Sequence, residues 1–437
     1  MHYMEIKNFG PIKHCAMDIG ADGSVTVLTG PQASGKSTVA KAVYFFRTVK
    51  DELLDILMTS YVEGETVKEQ LAHCMCDKLI MMFDWSYFDD DMSLLYYYEA
   101  SNNNAFVKIN RVDKRDHDYS RKAMVVTFGL EIISMFNELE AAKTSPHVLP
   151  ITDTTNSIAK IFRDDFVTVF IPAGRSSLLL LSDHLQYLLL EGWRRNSIDY
   201  SAREFVNLTV QLRPWFTFAR ALHEPYAHRQ HILECINHLS QKTISSSYQY
   251  VDNEERLYFS PHDSTKQSKH VKIANASSGQ QEAVWVFNIL THYLAEQKKV
   301  FLIIEEPEAH LYPESQMHMT DALSLFAGYG NSVMITTHSP YVLGEINNLL
   351  ICGQVPESKR EQAIDVIFGK GASVISVKVA ITPDKMTAQH IVNGECKNAL
   401  DDESLCLIMN ELIDGASDII NGRCDKLLGL LDNEEES

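Results

Sequence analysis

Residues Val25–Thr38 read VTVLTGPQASGKST. An apolar, β-branched run enters the pattern G-x-x-x-x-G-K-[ST], and a helix-forming stretch follows from about Lys36 to Phe46 and on to Met58. A strand, a glycine loop and a helix in that order distinguish a phosphate-binding loop from a chance glycine turn. Glycines let the backbone approach phosphate oxygens, and the N–H groups of the turn and helix start supply partial positive charge. Gly30, Pro31, Gln32, Ala33, Ser34, Gly35, Lys36, Ser37 and Thr38 are therefore the candidate ATP-binding residues. Lys36 is placed to reach the β- and γ-phosphates, and the Ser37 hydroxyl to bind Mg²⁺.

A second stretch narrows the reaction. Val300–Pro313 reads VFLIIEEPEAHLYP, an apolar run that ends in two glutamates. Strands buried on both faces of a parallel sheet read as continuous apolar runs, and ligands sit at their carboxyl ends. An acidic residue there holds Mg²⁺, and its neighbour polarises the attacking water. Glu305 is accordingly the expected metal-side residue and Glu306 the expected general base. The simpler alternative, a solvated strand end, explains one glutamate but not the pair in this company.

Two further motifs belong to that company. Ala276–Glu282, ASSGQQE, puts Ser277, Ser278, Gly279 and Gln280 at the start of a helix. Such a start attracts anions, although Ser and Gly before a helix ordinarily serve as a cap. Ile335–Tyr341, ITTHSPY, follows another buried strand and places His338 at its carboxyl end as a candidate γ-phosphate sensor.

The order GPQASGKS, ASSGQQE, IIEEPEAHLYP, TTHSPY resembles the ABC-type ATPase heads of the RecF/SMC branch. It is similar in particular to the OLD-like (overcoming-lysogenisation-defect) ATPases of bacterial antiphage systems. The likeness is strong over residues 1–50 and 267–345 and looser through FIPAGRSS, Phe170–Ser177. It implies that Gly30–Ser37 is Walker A, Ala276–Gln280 the signature, Ile303–Glu306 the end of Walker B and His338 the switch histidine. It also implies a homodimer or higher homo-oligomer in which two ATP molecules are sandwiched, with Ser277 and Gly279 acting on the partner's nucleotide. Glu305 stands where many ABC proteins have Asp, and Ala276 and Ser278 where transporters show Leu and Gly. The glutamine of the Q-loop has no assigned position.

The implied architecture is an α/β P-loop NTPase: an ABC-type head with a mixed sheet flanked by helices and a mostly helical insertion. We expect an N-terminal ATPase lobe at 1–50, an insertion at 51–266 with a small β patch near 83–112, a C-terminal ATPase lobe at 267–345, and an α/β extension with an acidic tail at 346–437. SVISVKVAI, Ser373–Ile381, reads as a strand and 402–431 as helical. SMC-type arms need sustained heptads, which 51–266 lacks, so the insertion reads as a compact subdomain. OLD proteins often append a nuclease domain; 346–437 is too short and lacks its acidic pattern. Any nuclease or toxin effector is therefore expected on a separate protein, as in the two-gene Septu and PARIS systems.

The chain has 437 residues, is 45% hydrophobic and 22% charged, and carries a net charge of −19. That charge disfavours general adhesion to DNA and leaves only local patches for it. Eight scattered cysteines and no recognisable secretory leader suggest reduced thiols in a cytoplasm, and no apolar run is long enough to suggest a membrane span. His223, His228, His231 and Cys235 match no tight zinc spacing. Trp193–Arg195 and Arg111–Lys122 are the best basic patches. Arg175 follows a strand directly, and either faces the nucleotide or fixes the insertion. Phe9 is either an adenine-stacking or a core aromatic. Three other functions share these motifs: a RecF-like DNA-repair ATPase, an ATP-binding scaffold with little turnover, and a transporter subunit.

Overall fold

The computed structural model describes residues 1–20, 22–59, 64–101, 103–111, 124–143, 151–180, 199–218, 229–259, 269–369, 375–401, 405–409, 411–413, 415 and 421–424. Its strands are β1 (His2–Phe9), β2 (Ile12–Ile19), β3 (Val25–Thr29), β4 (Phe88–Tyr97), β5 (Phe106–Arg111), β6 (Met124–Phe128), β7 (Val167–Ile171), β8 (Ser247–Val251), β9 (Glu254–Tyr258), β10 (His270–Lys272), β11 (Val300–Glu305), β12 (Ser332–Thr337), β13 (Met386–Val392) and β14 (Glu395–Asn398). Its helices are α1 (Lys36–Arg47), α2 (Val49–Thr59), α3 (Val67–Met82), α4 (Leu130–Lys143), α5 (Ile151–Ile161), α6 (Arg175–Leu180), α7 (Tyr200–Phe218), α8 (Gln230–Ile244), α9 (Ser278–Glu296), α10 (Pro313–Gly328), α11 (Pro340–Gln354) and α12 (Arg360–Phe368).

One 11-stranded sheet runs β6-β5-β4-β1-β2-β14-β13-β3-β12-β11-β7. Its two halves obey different rules. The core β13-β3-β12-β11-β7 is parallel throughout, whereas the wing β6-β5-β4-β1-β2 is antiparallel. The parallel strands β3, β11 and β12 are buried at every position, as helices on both faces require. Alternate side chains serve opposite faces. Val300, Leu302 and Ile304 join the core formed with α8 to α11. Phe301 and Ile303 join the core that packs α1 to α3 against the wing. Thus the helix that leaves the P-loop is anchored on the wing, where Phe46 stacks on Tyr96 at 5.1 Å between ring centroids.

This is the expected α/β mixed sheet flanked by helices. The predicted helix from Lys36 breaks at Thr48, whose hydroxyl donates to the carbonyls of Tyr44 and Phe45; α2 continues after it. YQYVDNEERLYFS forms a hairpin, with Asp252 and Asn253 both at positive φ as a two-residue turn demands. Three expectations need correction. β6 lies beyond the β patch near 83–112, in the part of the insertion expected to be mostly helical; its five residues are too few to show a period. Val377–Val379 in SVISVKVAI is a short 3₁₀ turn, not a strand. The strand is the next apolar stretch, β13, which pairs with β3. Finally, Cys15 and Cys396 are not free thiols but a disulfide between β2 and β14. Their 381-residue separation hides the pairing from the sequence. Most of 402–431 and the acidic tail lie outside the described residues.

Candidate nucleotide site

The site forms where β3, β11 and β12 end, at the carboxyl edge of the parallel core, as open α/β sheets favour. The loop from Gly30 leaves β3 with φ 146° at Gly30 and φ 60° at Ala33. Gly30 cannot carry a side chain: a Cβ there would lie 2.2 Å from the carbonyl oxygen of Ile391 on β13. Lys36 Nζ donates to the carbonyls of Gly30 (2.8 Å) and Pro31 (2.9 Å). Burial lowers the lysine pKa, opposed by the carboxylates of Glu306 and Glu308.

These residues border a cleft of about 650 Å³ whose floor is Gln32–Thr38. Glu306 and His338 enter it from β11 and β12, and Gly10, Pro11, Ser86 and Tyr87 from the wing. The fold therefore joins Lys36 to Glu306 and His338, which lie 270 and 302 residues away in sequence. Glu306 is left-handed at φ 45°, and its N–H donates to the Thr336 carbonyl at 2.9 Å. His338 Nδ1 lies 3.8 Å from Glu306 Oε1 and 3.7 Å from Glu308 Oε1.

Glu305 is buried, and its Oε2 accepts the Ala173 N–H at 3.2 Å. Its Oε1 is buried with no hydrogen-bond partner, a vacancy in bonding that a cation would satisfy. Ser37 borders the cleft and Glu305 does not, but both offer the hard oxygen donors that Mg²⁺ accepts.

The signature turn is elsewhere. Ser277 caps α9: its Oγ accepts the Gln280 N–H at 3.3 Å, and Gln280 Oε1 accepts the Ser277 N–H at 3.2 Å. The cap reading is thus realised, and the Gln280 side chain is further held by donation to the Ile244 carbonyl at 2.8 Å. Gly279 lies against the turn after Glu306, where a Cβ would meet the His310 carbonyl oxygen at 2.5 Å. Ser277 and Ser278 are exposed. None of Ser277, Ser278, Gly279 and Gln280 borders the cleft of its own chain.

Five residues of the site had no assigned role: Gly10, Pro11, Ser86, Tyr87 and Glu308. Tyr87, which packs on Gly10 through its ring and accepts the Gly10 N–H at its carbonyl (2.9 Å), follows the P-loop by about fifty positions with no motif around it. Ser86 is its neighbour. Glu308 was legible as the third acid of EEPE, two residues beyond Glu306. Phe9 is a core aromatic, fully buried against Phe83, Tyr87 and Phe88. Arg175 is also fully buried and does not face the nucleotide cleft. Cys235 is buried with His231 Nε2 3.9 Å from its sulfur; His223 and His228 lie outside the described residues, as do Trp193–Arg195 and most of Arg111–Lys122. No helix among the described residues is long and apolar enough to cross a membrane.

Residues 217–343 match the family model of the AAA ATPase domain. The match takes in the signature turn, Glu305, Glu306 and His338, and the fold adds the P-loop from outside it. No curated protein matches the chain. Among solved structures it is similar to an SMC head bound to the C-winged helix domain of ScpA, at 13% identity and a TM-score of 0.38, covering 78% of this chain and 90% of that one. It is also similar to an Smc head with an extended coiled coil bound to the C-terminal domain of ScpA, derived from Pyrococcus furiosus, at 12% identity and TM-score 0.38, covering 79% and 92%. A third is the SMC head domain from Thermotoga maritima, at 12% identity and TM-score 0.33, covering 78% and 90%. Likeness at this level bears on neither partners nor biological role. The AAA ATPase match and the P-loop cleft make this chain an ATPase.

Proposed function

We propose that this ATPase is an ATP-gated dimeric switch, with nucleotide held between the P-loop of one protomer and the Ser277–Gln280 turn of another. One observation carries the reading. The cleft holds the P-loop, Glu306 and His338, while the α9 start, with exposed Ser277 and Ser278, stays outside it and is free to meet a second copy. Lys36 binds the phosphate chain, Glu306 orients and deprotonates the attacking water, and His338 contacts the γ-phosphate. Ser37 and Glu305 would hold Mg²⁺, which would neutralise charge on the phosphates. Positioning and electrostatics are what phosphoryl transfer asks of a protein. The motif likeness to OLD-like ATPases extends the proposal to cytoplasmic antiphage defence, with a DNA or phage-product trigger and a separate nuclease or toxin effector.

ATP turnover and mass in solution test it in wild type and Glu306→Gln. The mutant is expected to bind ATP, lose turnover and accumulate as an ATP-dependent dimer. Mutant turnover equal to wild type would remove the base assignment. A wild type that stays monomeric at full activity would remove the shared site. Mixing Lys36→Ala with Gly279→Asp chains should restore activity if each composite site takes one half from each chain. Phage plating on cells carrying wild type or Glu306→Gln, with the adjoining gene present, tests the biological role.

A further inference from the structure

Arg175 is a fully buried arginine at the end of β7, next to β11. Its Nη1 donates to the carbonyls of Pro172 (3.0 Å) and Glu305 (2.7 Å), and its Nη2 to the carbonyl of Glu306 (3.1 Å). Its Nε–H points to the Glu282 carbonyl at 3.3 Å, with Glu282 Oε2 2.9 Å away. Glu282 is itself buried on the second turn of α9. Its other oxygen accepts the Ser176 N–H (3.0 Å) and hydroxyl (2.8 Å).

One guanidinium thus ties three segments: the end of β7, the acidic end of β11, and the helix whose exposed start is the signature turn. A planar fork of five N–H donors can engage several carbonyls at once, which a lysine ammonium on a flexible stem cannot reproduce in fixed geometry. Burying a cation this deeply is costly unless its hydrogen bonds are satisfied; here four backbone carbonyls accept them and the Glu282 carboxylate lies beside the charge. Two of those carbonyls flank the Glu306 peptide unit. Glu306 has a left-handed backbone that non-glycine residues adopt at a cost. The Thr336 carbonyl holds its N–H from one side and Arg175 holds its carbonyl from the other.

We propose that Arg175 is a positioning residue: with Glu282 it locks the Glu305–Glu306 turn to α9, so that the general base and the signature turn are presented as one rigid unit. Arg175 does not border the nucleotide cleft. Its effect on Glu306 is exerted within one chain; its effect on the partner's nucleotide rests on the dimeric reading above.

The test compares wild type, Arg175→Lys, Glu282→Gln and their double mutant by kcat, by the Kd of a fluorescent ATP analogue, and by Tm. Arg175→Lys keeps the charge but loses the fork. It should lower kcat about tenfold or more while Kd stays within about threefold, because the P-loop leaves a different strand. Glu282→Gln should shift kcat the same way by less, and the double mutant should be about as impaired as Arg175→Lys alone, since the pair acts as one element. Ser176→Ala strands no buried charge and serves if Arg175→Lys does not fold; it should lower kcat about two- to threefold at unchanged Kd. The proposal fails if the folded variants keep kcat within about twofold of wild type, or if Kd worsens in step with kcat, the signature of general loosening. A monomeric, fully active wild type would remove the dimeric reading while leaving the kcat-to-Kd split as the measure of this one.

Discussion

Glu308 accepts a 2.6 Å hydrogen bond from the Thr337 hydroxyl. The same Oε1 accepts the His338 N–H at 3.1 Å and lies 3.7 Å from the His338 ring nitrogen. The third acid of the EEPE stretch is thus turned away from solvent and holds the start of the His338 loop. It links the ends of β11 and β12, the two strands that deliver Glu306 and His338 to the cleft. Its second oxygen, Oε2, is buried without a hydrogen bond, so the group is under-satisfied and poised for the ring of His338 or for water.

Replacing Glu308 by Ala should therefore cost turnover rather than ATP binding. Loss of the acceptor strands a buried hydroxyl and an N–H at about 1–3 kcal/mol. If that cost falls on the orientation of His338, kcat drops roughly 5- to 150-fold. Steady-state ATPase assays, with ATP-analogue binding measured in parallel, check it. A parallel loss of affinity would mean that Glu308 supports the P-loop instead.

Gly30→Ala should abolish nucleotide binding while leaving most of the fold. The new Cβ would sit 2.2 Å from the Ile391 carbonyl, a contact that only a shift of the loop or of β13 relieves. Because Gly30 opens the loop, the shift misplaces the N–H groups that receive phosphate. Binding of a fluorescent ATP analogue should weaken more than about tenfold, with circular dichroism close to wild type.

Asp321 on α10 and Glu345 on α11 form a buried acid pair, each about 2% exposed. Burial, and then the charge of Glu345, raise the Asp321 pKa well above its ordinary value; His318 Nδ1 is 3.5 Å from Asp321 Oδ2. A carboxyl whose folded pKa is raised contributes stability that is complete below its unfolded pKa and is lost as pH rises through the folded one. Asp321→Asn removes that dependence. Its Tm relative to wild type should therefore improve steadily from pH 5 to pH 8, by scanning calorimetry across that range; a mutant-minus-wild-type difference that falls with rising pH would contradict the raised pKa of Asp321.

The Cys15–Cys396 bond ties the N-terminal wing to the C-terminal hairpin of β13 and β14. A crosslink over so long a loop typically stabilises by about 2–5 kcal/mol. Reductant should lower the Tm of wild type, and Cys15→Ser with Cys396→Ser should show the lowered value with no response to reductant. Equal Tm with and without reductant would mean that hydrogen bonds such as Lys13 N–H to Gly394 O at 2.8 Å carry this junction alone.

The P-loop, the acidic end of β11, the α9 cap and the His338 turn were legible because each is a local pattern. A few adjacent residues set glycine conformations, helix capping or a strand end, and the chemistry of those residues names the ligand. Buried strands β3, β11 and β12 were legible because a strand covered on both faces leaves an unbroken apolar run. What the sequence could not reveal was adjacency. β13 beside β3, Tyr87 at the cleft and Cys15 against Cys396 depend on pairings between segments about 50 to 380 positions apart. Short-range patterns carry no record of which strand comes next in a sheet. Arg175 shows the limit most sharply. Its residue type and strand-end position left its role open between nucleotide and scaffold. Only the tertiary structure decided it, by surrounding the guanidinium with carbonyls from β7, β11 and α9 and leaving no face toward the cleft.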